Sequence, residues 1–263
     1  MDNILPIFST HASLGSAILT SEYADGDKDR DELKDTAPIS VITIAKRYDV
    51  KNTFICDSSI SLFIQCYENF KKIGRDFTWG LRLNICNDAN QKTEESIKTE
   101  SKVIIWMNNS DAYKDIIKIY TKAHTKDNYY IPRTDWPSLN KLWTKNLSLS
   151  IPFYGGFFHR NMLMGYCSLP EFGSIEPSFQ INKMGLPFDD ILENYIVPYA
   201  KDNRFEIINT HPVYYYKKKD FDAMTVFKCI NKRNKFDCPN IDYWSSDNFC
   251  YESYLEKTGG KLL

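Results

Sequence analysis

Three residues with acid–base or ligating chemistry fall at or beside expected strand ends: His11, Asp57 and His211. Imidazole and carboxylate groups can bind metal ions or move protons near neutral pH. His11 follows the apolar run Ile4–Ser9, and Asp57 follows Thr53–Cys56. His124 and His159, the other two histidines, fall on or near expected helices and read as structural. The metalloprotease HExxH, the nucleophile elbow GxSxG, the dinucleotide GxGxxG and the phosphate-binding Walker loop are all absent. The spacing yields no cysteine–histidine nucleophile pair.

A second stretch mixes rings with cations: Tyr214-Tyr215-Tyr216-Lys217-Lys218-Lys219. Such a composition can stack on bases and bind phosphates. It is equally the composition of a packed aromatic strand followed by solvated lysines.

These residues need elements to position them. Asn52 to Asp88 reads as strand, turn, helix, strand. Thr53–Cys56 is apolar, Asp57-Ser58-Ser59 offers turn and N-cap chemistry, and Ile60, Phe63, Ile64, Tyr67 and Phe70 recur at helical spacing. Gly74 closes that helix, and Leu81–Cys86 is a second strand. One βαβ unit of this length predicts a parallel sheet, whose sites lie at the carboxyl ends of its strands. Here those ends are Cys56-Asp57-Ser58 and Cys86-Asn87-Asp88.

Around this unit, Pro38 and Ser40 open a helix to Tyr48. Ala89–Lys102 is polar and reads as loop or the base of a hairpin, whereas Val103–Met107 reads as a buried strand. Asn108-Asn109-Ser110 caps a helix carrying Ile116, Ile117 and Tyr120. Thr125–Trp136 is turn-rich. Leu147–Ile151, Phe179–Ile181 and Phe205–Ile208 are further strands, and Asp220–Asn231 is a helix. Asp25–Asp35 is a charge run that reads as a solvated loop. Beyond Asn234 the pattern weakens, so about 233–263 is expected to be an irregular extension. The alternation predicts a closed or distorted α/β barrel in one domain.

Composition narrows the function classes. The 263 residues carry 33 basic and 34 acidic side chains, a net charge of −1, which advertises no global nucleic-acid field. Seven cysteines stand singly, most in apolar runs, as expected of reduced thiols in the cytoplasm. No run approaches the ~18 apolar residues of a membrane span. The first residues, MDNILPIFST, lack the pattern of a signal peptide.

In their order, several stretches resemble the polymerase-and-histidinol-phosphatase (PHP) domain that opens bacterial DNA polymerase III alpha subunits. The stand-alone versions encoded by tailed bacteriophages look closest. The stretches are His11–Thr20, Phe54–Ser58, Trp79–Leu83, Asp111–Lys122, Tyr129–Asp135 and Tyr214–Ile230. The resemblance implies a distorted (β/α)₇ TIM-like barrel over one domain, residues 1–263. Active members hold two or three metal ions and hydrolyse phosphoesters with metal-bound water.

Set against the family's ligand slots, this chain has lost most ligands. The opening His-x-His reads Ser9-Thr10-His11, and Asp-His reads Asp57-Ser58. Gly-Cys-Glu reads Gly80-Leu81-Arg82, placing a cation where the family has a carboxylate. The final Asp-x-His falls on Pro212-Val213-Tyr214, beside His211. The resemblance therefore implies a catalytically degenerate DNA-replication accessory or scaffold bound to a replisome or polymerase partner in the host cytoplasm, with no cofactor. Two alternatives accompany it. One is a metal-dependent phosphoesterase or 3′–5′ exonuclease retaining His11, Asp57 and His211 on Mn²⁺, Mg²⁺ or Zn²⁺. The other is phosphate or nucleic-acid binding without hydrolysis, through Arg82, Arg133, Tyr214, Lys217, Lys218 and Lys219.

Overall fold

The computed structural model describes residues 4–13, 15–22, 38–233, 235 and 246–262. The charge run Asp25–Asp35 lies outside the described residues. The chain is mixed α/β and divides into two compact units.

The first unit comprises residues 1–79, 184–186 and 210–263. Its strands are β1 (Leu5–Phe8), β2 (Asn52–Asp57), the start of β3 (Asp76–Cys86) and the end of β8 (Glu206–Val213). β1 runs parallel to both β2 and β8, and β2 also pairs with β3. Helix α1 (Val41–Arg47) starts where expected, because the Ser40 hydroxyl accepts the Thr43 N–H. Its buried face is Val41, Ile42, Ile44 and Ala45. Helix α2 (Phe63–Lys72) buries Cys66 and Phe70, and Phe63 meets Trp79 edge-on at 5.8 Å. The unit also holds α8 (Phe221–Lys232) and α9 (Tyr251–Thr258). The weak C-terminal pattern thus contains a helix. Tyr251 and Leu255 of α9 are buried, and the Tyr251 ring lies 5.6 Å from Phe8.

The second unit comprises residues 80–183 and 187–209. It contains the rest of β3, β4 (Ser101–Met107), β5 (Arg133–Asp135), β6 (Leu147–Ile151), β7 (Pro177–Ile181) and the start of β8. Its helices are α3 (Glu94–Ile97), α4 (Ala112–His124), α5 (Trp136–Leu142), α6 (Phe157–Met162) and α7 (Asp189–Asp202). The strand order is β5-β3-β4-β6-β7-β8. Two features depart from the sequence expectation. β4 is antiparallel to both β3 and β6, so uniform β/α alternation fails there. The turn-rich Thr125–Trp136 contains a strand, β5, parallel to β3. In the first unit the strand order is β3-β2-β1-β8.

Strand alternation gives the second unit's sheet two unlike faces. Leu81, Leu83, Ile85, Val103, Ile105, Leu149, Ile151 and Phe179 are buried on one face. Phe179 meets Phe157 of α6 and Tyr199 of α7 at 6.3 and 5.8 Å. Each such side chain contributes roughly 1.5–3 kcal/mol on burial. The other face carries Arg82, Asn84, Trp106, Ser150, Ser178 and Gln180.

Candidate functional site

The loop after β1 closes on Asp57, the last residue of β2. Asp57 is 0% exposed. Its Oδ1 accepts the Thr10 N–H at 2.9 Å and the Ser13 hydroxyl, and its Oδ2 accepts the Thr10 hydroxyl at 2.5 Å. The loop is further sewn down by Ser9 Oγ donating to Cys56 O and Ser16 Oγ donating to Tyr214 O, both at 3.0 Å. Gly15 is required here: its φ is +85°, and a Cβ would stand 2.8 Å from Cγ of Lys228. Asp57 thus spends both carboxylate oxygens on holding a loop.

His11 belongs to the same loop as Thr10 and Ser13, and His211 belongs to β8. His11 is exposed in the turn after β1. His211 is fully buried in β8, in register with Pro6 of β1. Its Nε2 donates to Cys250 O at 3.1 Å, at the start of α9, and the Tyr254 ring lies 5.8 Å away. Because a carbonyl only accepts, Nε2 carries the proton and Nδ1 is bare; Nδ1 is buried with no hydrogen-bond partner. Burial, reinforced by the Lys257 charge, lowers the His211 pKa to about 3. His211 is a neutral packing residue against α9. Among the described residues, no group of three or more His, Cys, Asp or Glu could hold a metal ion. A multinuclear metal centre of the implied kind does not fit these residues.

The proposed phosphate-binding residues also separate. Arg133 is 0% exposed, paired with Glu100 at 3.0 Å, and donates to Ser96 Oγ at 3.0 Å and Gln91 O at 2.6 Å. Its guanidinium lies 5.0 Å from the Tyr129 ring centre. Burial pushes the Glu100 carboxyl up, and Arg133 pulls against it. Arg133 is an internal tie with no surface to offer a phosphate. Tyr214 is buried against Phe249 beneath the Lys228 ammonium, so it presents no open face to a base. Tyr215 is also buried and donates to Asp247 O at 2.8 Å. The Tyr216 hydroxyl joins Tyr48 and Arg47, at 2.8 and 3.1 Å. Lys218 is bound to Glu256 at 2.6 Å, and its N–H donates to Glu252. Lys217 lies 5.8 Å from the Tyr216 ring centre. Lys219 is exposed.

Arg82 keeps partial exposure, though not at a strand end. It is inside β3, opposite Ile104 of β4, with Cys86 ending the strand four residues later. On the same face, Trp106 Nε1 donates to Ser150 Oγ at 2.9 Å, and Ser150 and Ser178 share a 2.7 Å hydrogen bond. Gly80 leaves room for this chain, since a Cβ there would stand 2.6 Å from the Trp106 ring. The spacing of single serines in β6 and β7 carried no signal for this relay, because each partner lies on a different strand. Cys86, at the end of β3, donates to Thr134 O at 3.4 Å, and burial pushes its thiol up to about 12, so it is no ready nucleophile.

What the arrangement offers chemically is therefore a largely buried, mixed sheet face carrying one partly exposed guanidinium, and a strand-end carboxylate bound to the loop after β1. Compared with protein-family models and with curated proteins, the chain matches none.

Proposed function

We propose that this chain is a non-hydrolytic PHP-like barrel protein that serves DNA replication as an accessory or scaffold. The observation that carries the reading is the Asp57 carboxylate. By resemblance it stands in a ligand slot, and here both its oxygens accept hydrogen bonds from Thr10 and Ser13. The packing of His211 against Cys250 supports the same conclusion. The donor set needed for water activation does not converge, whereas the elements that would carry it are retained. The partner is proposed to be a replisome or polymerase protein.

The test joins metal analysis of the purified protein with phosphatase and 3′–5′ exonuclease assays in Mn²⁺. The expected result is less than stoichiometric metal and no turnover, with replication proteins recovered on the tagged chain from its native cells. Turnover abolished by Asp57→Asn would establish the phosphoesterase alternative instead. A second reading, anion binding without hydrolysis, is favoured by Arg82, and the exposed Lys219 is compatible with it. Arg82 is partly exposed on a mixed face, and Arg82→Gln should weaken any phosphate binding by about ten-fold.

A further inference from the structure

Between α4 and β5 the chain makes a tight turn with Tyr130 at its apex. Tyr130 is 79% exposed and has φ +59°, a conformation that an aromatic residue adopts at an energetic cost. The turn is clamped, with the Tyr129 N–H donating to Ile131 O at 3.3 Å and the Ile131 N–H to Tyr129 O at 2.7 Å. Below it, the Tyr129 ring meets Tyr130 edge-on at 4.6 Å and rests on the Arg133 guanidinium, itself fixed by Glu100. A strained ring is thus held rigidly in solvent, where it gains little burial to offset the strain.

Its surroundings specify the partner's chemistry. Lys92 Nζ donates to Lys126 O at 3.1 Å, joining the loop after β3 to the loop that enters the turn. Both lysines are exposed. Glu94 is the carboxylate near enough to act on Tyr129. Lys122 is committed to Asp127. An exposed ring on a turn that follows Lys126 by three residues, with Lys92 bridged to Lys126, matches a nucleobase and its flanking phosphates, since any base can stack and any phosphate can pair.

We propose that the Tyr129–Ile131 turn contacts single-stranded nucleic acid, with Tyr130 stacking on a base and Lys92 and Lys126 pairing with phosphates. This site is independent of the reading built on Asp57.

The test is fluorescence anisotropy with a labelled deoxythymidine oligomer, a duplex control and a salt series. Wild type should bind the single strand more tightly than the duplex. Tyr130→Gly should weaken that binding roughly ten-fold with no loss in melting midpoint, because glycine accepts positive φ. Tyr130→Phe should retain binding. Lys92→Gln with Lys126→Gln should reduce the slope of log K on log salt by about 1.4. No binding by wild type, equal binding to duplex, wild-type affinity in Tyr130→Gly, or an unchanged salt slope would each overturn the assignment.

Discussion

Asp57 in the first unit and Arg133 in the second are both ionisable side chains at 0% exposure, and they are held differently. Asp57 accepts from neutral donors of the loop after β1, among them one N–H and two hydroxyls. Arg133 is held by another ion, Glu100, together with a hydroxyl and a main-chain carbonyl, while its Nε is buried without a hydrogen-bond partner among the described residues. Neutral donors satisfy a buried carboxylate without burying a second charge. An ion pair buries two, and removing either leaves the other uncompensated. Of these two residues of functional type, one has become a loop anchor and the other a tie between segments.

The comparison predicts an order of stability losses. Arg133→Met strands the Glu100 carboxylate and should cost about 3–5 kcal/mol in urea unfolding. Adding Glu100→Gln should recover part of that loss, and failure to recover any would show that the pair's charge is not what matters. Asp57→Ala leaves the Thr10 and Ser13 donors unanswered and should cost roughly 3 kcal/mol. If it proves costlier than Arg133→Met, the order reverses and the neutral network is the stronger holdfast. Gly80→Ala drives a methyl against the Trp106 ring and should cost about 1–3 kcal/mol by overpacking. Wild-type stability there would mean that Trp106 can swing off Ser150.

The smallest effect belongs to His211, whose neutral ring is buried at the start of α9. Its folded pKa lies below the unfolded value, so the unfolded chain binds the extra proton first. The His211 contribution is complete above pH 6.5 and is lost as pH falls from there toward 3. From pH 6.5 to 5.5 the loss should be at most about 1.4 kcal/mol. His211→Phe should flatten unfolding free energy over that interval. An equal slope in that variant would assign the acid sensitivity to other groups.

Much of the fold was legible because its signals are local. Ser40 announces α1 through its own hydroxyl, and Leu147–Ile151 reads as a strand and is one. The site was less legible. Arg133 looked available because nothing near it in sequence says that Glu100 is its partner, 33 residues earlier. Tyr214 looked like a stacking ring because Phe249 and Lys228 reach it only through the fold.

The amino-acid sequence by itself determined the mixed α/β class, most element positions and the absence of familiar catalytic motifs, since periodicity and capping act within a few residues. Only the tertiary structure decided that β4 runs antiparallel, that His211 packs against α9 and that Asp57 is bound to the loop after β1. Those outcomes depend on strand pairing and register between distant segments, and a one-residue change of register would turn each side chain to the opposite face.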